Sequence, residues 1–116
     1  MISGQELFNE RERIKTSLEN SLRRAYDNGL EAAEATRQYR IALRKEVLRL
    51  QESGQPQTNL GIIAKGDDAV AQAEFDMNVA EVKYKASSEN IMAQKKLFES
   101  IEADIKREYY RGDQNG

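Results

Sequence analysis

The chain has 116 residues, 33% of them charged and 39% hydrophobic, with net charge −2, one proline, no cysteine and no histidine. One domain fits that length, and a content high in Ala, Glu, Lys, Leu and Arg points to long helices rather than a thick globular core. Lacking thiol and imidazole, it cannot build the usual zinc sites or a Cys or His nucleophile, and its near-neutral balance sets up no global field toward nucleic acid or anionic membrane.

The first residues, "MISGQELFNERERIK", hold no apolar run of signal-peptide length. No segment approaches the ~20 apolar residues of a membrane span. These features predict a soluble protein of the cytoplasm.

A first helix is predicted over about 3–53. Ser3 and Glu6 have capping-box spacing, flanked by Ile2 and Leu7 as a hydrophobic staple. Apolar or small residues then recur with the α-helical period at Ile14, Leu18, Leu22, Ala25, Gly29, Ala32, Thr36, Leu43, Val47 and Leu50. Asp27-Asn28-Gly29 is a turn signal inside this run, and Asn28 with Glu31 could cap a new helix. The apolar period passes through the site unshifted, which favours a continuous helix. Ser53-Gly54, with Pro56 beyond, ends it.

An apolar connection follows over 54–66. Leu60, Ile62 and Ile63 stand between glycines and are expected to fold over the open end of the helix pair, as a short turn capped by Thr58 or Asn59. Gly61 and Gly66 have the G-x-x-x-x-G spacing of a phosphate loop. The Lys-Ser/Thr that should follow is replaced by Asp67-Asp68, which would repel phosphate.

The second helix is predicted over about 67–110, with Asp67 or Asp68 accepting from its free N–H groups. Val70, Met77, Tyr84, Ile91, Phe98 and Ile105 repeat every seven residues, and Ala73, Ala80, Ser87, Gln94 and Ile101 lie three residues on. That is a coiled-coil seam. Folding back at the connection sets Leu50 opposite Val70, Leu43 opposite Met77, Thr36 opposite Tyr84, Gly29 opposite Ile91 and Leu22 opposite Phe98. The expected fold class is therefore all-α: one antiparallel two-helix hairpin over 1–110, with a flexible tail over 111–116.

Several constellations could carry chemistry. Arg37, Arg40, Arg44, Lys45 and Arg49 form the densest basic stretch, a candidate nucleic-acid face. The competing reading pairs them with Glu74, Asp76 and Glu81. Glu31/Glu34 and Glu99/Glu102 have the E-x-x-E spacing of helical magnesium-dependent pyrophosphatases, a spacing common in charged helices. The tripeptide at 111–113, Arg-Gly-Asp, is incidental without a secretion signal. No catalytic, cofactor or metal residues are assigned, and no enzyme activity is expected.

The surplus is apolar. Phe75, Val79, Val82 and Ala86 make a second stripe off the seam of the second helix, and Ile41 and Leu48 do so on the first, beside Leu30. With Leu60, Ile62 and Ile63 they are the candidate surface for self-association or a partner, because one hairpin covers one stripe per helix. A homodimer forming a four-helix bundle is the expectation.

"YRIALRKEVLRLQESGQP", "IAKGDDAVAQAEFDMNVAEVKYKASSENI" and "IKREY" together resemble small coiled-coil proteins encoded by phages and prophages of Gram-positive bacteria. The resemblance rests on Tyr39, Leu48, Leu50, Gly54, Pro56, Ala64, Gly66, Asp67, Ala80, Glu81, Tyr84, Arg107, Glu108 and Tyr109, and covers about 39–109. Tyr109 stands where that family carries Trp, and the segment after the proline is less β-branched. The resemblance implies a phage early-region setting in a bacterial host cell, near replication and recombination genes, and implies no mechanism. The function expected is that of a non-enzymatic helical adaptor or inhibitor. It would act by protein contact in phage replication or recombination, or against a host system. A nucleic-acid-binding accessory using the basic face is the alternative.

Overall fold

A computed structural model describes the backbone over residues 3–115 and the side chains over 3–111. The protein is all-α. Helix α1 spans Gly4–Glu52, a 3-10 turn spans Gln57–Asn59, α2 spans Leu60–Lys65 and α3 spans Asp68–Asn115. Among the described residues there is no strand.

Side chains set the helix ends. The Glu6 N–H donates to Ser3 Oγ at 3.1 Å and the Ser3 N–H donates to Glu6 Oε2 at 3.2 Å, closing the capping box. The Ile2 half of the expected staple lies outside the described residues. At its far end α1 closes in a Schellman motif: the Gln55 N–H donates to the Leu50 carbonyl and the Gly54 N–H to the Gln51 carbonyl, both at 3.1 Å. Gly54 there has φ 84°, a left-handed conformation that suits a residue without Cβ. Asp67 caps α3, its Oδ2 accepting from the Ala69 and Val70 N–H groups at 3.1 and 3.3 Å.

Between these ends α1 runs unbroken through Asp27-Asn28-Gly29, where no residue has positive φ. Helix α3 continues to Asn115, through the segment expected to be a tail. Arg107 pairs with Asp104, and Arg111 with Glu108 at 3.8 Å, both at the i,i+3 spacing that supports a helix end.

The chain divides into two compact units, Met1–Tyr26 with Ala86–Gly116, and Asp27–Lys85. In the first unit the two helical segments run antiparallel: Arg11 meets Phe98 and Glu102, and Ser21 meets Asn90. On α1 the seam consists of Leu7, Arg11, Ile14, Leu18, Ser21 and Ala25, all buried or half-buried. Leu22, expected opposite Phe98, is exposed instead. Ser21 is the one buried polar side chain among the described residues, and Asn90 Nδ2 donates to its Oγ at 2.9 Å. The Arg11 guanidinium lies 5.5 Å from the Phe98 ring centroid and its Nε donates to Glu102 at 2.5 Å. That bond, ahead of the Coulombic attraction, holds the Arg11 pKa above its ordinary value.

In the second unit the α1 seam continues as Asn28, Ala32, Ala35, Tyr39, Ala42 and Glu46. Gly29 lies under Tyr84: a Cβ built on it would be 3.2 Å from the Tyr84 Cε1. Lys83 Nζ donates to Glu31 Oε2 at 3.0 Å, and the buried Tyr39 lies near Glu74. Burial first, then the Glu74 carboxylate, raises the Tyr39 pKa. In both units the α3 partner lies about one heptad earlier than the sequence pairing gives. Gly29 meets Tyr84 where Ile91 was expected, and Ser21 meets Asn90 where its neighbour Leu22 was expected to meet Phe98.

Helix α2 supplies the cause. Leu60 and Ala64 pack with Leu50 into one buried cluster, with Leu43 and Val47 against it. The end of α1 is therefore covered by α2, which takes the Leu50 surface expected to receive Val70. The expected plug is corrected in two respects. Ile62 and Ile63 point outward, 76% and 45% exposed, so Leu60 and Ala64 form it. Asn59 occupies the cap position of α2 but makes no side-chain cap bond; the 3-10 turn leads directly into the helix.

Candidate functional site

The residues expected to form an interaction surface separate into three groups. Leu60 is core, not surface, 5% exposed because it carries the α2 contact with α1. Ile41 is half-buried and lines a groove of about 320 Å³ with Gln38, Lys45, Glu46, Arg49 and Asp67. Leu48, Ile62, Ile63, Phe75, Val79 and Val82 are exposed.

Phe75, Val79 and Val82 are the compact part of that set. Successive spacings of four and three residues put them on one face of α3. Val70, Ala73, Met77 and Ala80 on the opposite face are buried or half-buried, so this stripe points away from α1. Ala71, Gln72 and Asn78 are exposed beside it, as are the charged Asp76, Lys83 and Lys85. At 62%, 49% and 69% exposure, the three apolar side chains lie uncovered together, whereas single exposed hydrophobics are ordinary on a protein surface.

The basic stretch is only partly engaged. Arg37 Nε donates to Glu34 at 3.0 Å and Arg49 Nε to Glu46 at 3.0 Å, so the partners are acids one turn back on α1, not Glu74, Asp76 or Glu81. Hydrogen bonds from Arg37 and then Gln38 lower the Glu34 pKa to about 2. The Arg49 bond likewise lowers that of Glu46, and both arginines are shifted upward. Arg40, Arg44 and Lys45 are exposed and make no ion pair among the described residues.

Three of the four E-x-x-E carboxylates are engaged by cations. Glu31 accepts from Lys83, Glu34 from Arg37 and Glu102 from Arg11. Among the described residues no group of three or more Asp or Glu is placed to hold a metal ion. No described helix is long and apolar enough to cross a membrane. Of the 111–113 tripeptide only the Arg111 side chain is among those described.

No family, no curated protein and no solved structure matches this chain.

Sequence reasoning placed Ala25 and Ala32 on the α1 seam and missed Ser21, Ala35, Tyr39 and Ala42. Seven-residue spacing of Leu18, Ala25, Ala32 and Tyr39 was the available signal, obscured by the larger Leu22 and Leu43 on a neighbouring line. It also missed an aromatic end of α3. Tyr109 and Tyr110, exposed and edge-to-face at 5.9 Å, line an open hollow of about 630 Å³ with Ile105 and Lys106.

Proposed function

We propose that the protein is a non-enzymatic helical adaptor. In this reading α1 and α3 form one long antiparallel coiled-coil hairpin, and two hairpins join along the outer face of α3 into a four-helix bundle. The observation that carries it is the uncovered Phe75–Val79–Val82 stripe, set on the α3 face turned away from α1. A stripe of that kind on a helix already buried along its other side is what a bundle interface needs. The surface remaining after self-association, Ile62 and Ile63 on α2 with Leu48 on α1, contacts a phage or host protein. The sequence resemblance supports a setting in the bacterial cytoplasm, in phage replication or recombination or against a host system. No cofactor is required.

Sedimentation equilibrium tests this reading. The wild type should be a dimer, and Val79→Glu with Val82→Glu should be a monomer that keeps its helical circular dichroism. A wild type that stays monomeric on the order of tens of micromolar overturns it. The second reading, a nucleic-acid-binding accessory, is favoured by the exposed Arg40, Arg44 and Lys45. Three phosphate contacts would give DNA affinity a log–log salt slope of roughly −3, flattened by replacing those cations.

A further inference from the structure

From the charge pattern beside the stripe we infer its occupant and orientation: a second copy of α3, lying antiparallel, with Val79 of each copy over Val82 of the other. The inference rests on the proposed self-association and specifies it. Spaced four and three apart, Phe75, Val79 and Val82 follow the core spacing of a coiled coil. The residues flanking such a core set orientation. Here Asp76 and Lys83 stand on one flank and Asn78 and Lys85 on the other.

An antiparallel pair brings like flanks together. With Val79 over Val82, Asp76 of each copy meets Lys83 of the other, and the two-fold axis makes that attraction twice. On the opposite flank Asn78 meets Lys85, so no like charges are opposed. A parallel pair brings unlike flanks together: Asp76 would face Ala71 and Lys83 would face Asn78, with no charge pair formed. Sliding the antiparallel pair by one heptad breaks that match: it sets Asp76 against Asp76 of the other copy and Val82 over polar Gln72, opposing like charges and losing apolar contact. The arrangement is isologous and closed, so it stops at two copies.

The contacts of Asp76 with Gln72 and of Lys83 with Glu31 do not oppose it. Asp76 accepts from Gln72 at 2.9 Å and Lys83 donates to Glu31 at 3.0 Å, contacts among exposed groups. Exposed pairs of this kind hold a side chain weakly, and the Lys83 ammonium has donors for both carboxylates.

The absence of native cysteine makes a disulfide test clean. Val79→Cys and Val82→Cys are prepared separately, and each is oxidised alone and after mixing and re-equilibration. The substituted side chains are exposed in one chain, so the fold is kept. Cross-linking should appear in the mixture and be at least tenfold weaker in either variant alone, because only facing core positions bring the two backbones within the ~7 Å a disulfide spans. Efficient cross-linking of each variant alone would show a parallel pair and overturn the inference. Dimers by sedimentation with no cross-link in any sample would place the interface on another face, overturning it while self-association stands. Monomers by sedimentation would remove the self-association reading itself. As a second measurement, Asp76→Lys should weaken dimerisation about tenfold, and adding Lys83→Asp should restore it. Failure of that rescue refutes the assigned pairing.

Discussion

Replacement of Gly29 by leucine, with and without the Tyr84 ring, tests the packing of α1 against α3 most directly. Gly29 is helical with no positive φ, so an added side chain meets no backbone strain. Its Cβ would sit 3.2 Å from Tyr84 Cε1, 3.5 Å from Cζ and 3.6 Å from Cδ1. Only the first contact is tight, and Tyr84, 44% exposed, has solvent on its outer side into which it can yield. Gly29→Ala should therefore keep most of the ~1 kcal/mol helix-propensity gain over glycine and be neutral to stabilising. Gly29→Leu extends the side chain into the space of the ring, at an overpacking cost of about 1–3 kcal/mol. In a Tyr84→Ala background that cost should vanish, giving a coupling of at least ~1 kcal/mol. In an Ile91→Ala background it should persist. Urea melts followed by circular dichroism, at one protein concentration, measure the whole set of variants. Relief by Ile91→Ala and none by Tyr84→Ala would refute the observed pairing and restore the one read from the sequence.

Leu60→Ala should destabilise by about 2–5 kcal/mol because it empties the α2 cluster, whereas Ile62→Ala, at an exposed position, should stay within ~0.5 kcal/mol in thermal melts. Gly54→Ala should cost about 1–2 kcal/mol, the penalty of a Cβ at left-handed φ, and a neutral result would refute the Schellman closure. Asp67→Ala should cost about 0.5–2 kcal/mol through loss of the α3 cap, and Asp67→Asn should recover most of it. The Glu34 carboxyl should titrate near pH 2 by NMR and return toward its ordinary value of 4.5 in Arg37→Gln. Because its folded pKa is depressed, its contribution to stability is full above about pH 4.5 and is lost as pH falls toward 2.

Local chemistry made much of this protein legible in its sequence. The capping box at Ser3 and Glu6, the glycine stop at Gly54, the Asp67 cap and the heptads of α3 depend on residues within a turn or two of each other. Each was readable because its partner is fixed by short spacing along the chain. The exposed Phe75–Val79–Val82 stripe was legible for the same reason, since residues that fall off one seam must lie on another face.

Which residues of α1 meet which of α3 was not determined by the sequence pattern. A heptad repeat looks the same after a slide of seven residues, so apolar spacing alone gives several nearly equivalent alignments. Tertiary structure chose among them through fits that no spacing rule contains: Tyr84 over a glycine, Asn90 donating to buried Ser21, Arg11 between Phe98 and Glu102, and above all Leu60 and Ala64 of α2 occupying the end of α1. The short helix α2 covers the last turns of α1, and α3 pairs one heptad further back because that surface is already taken.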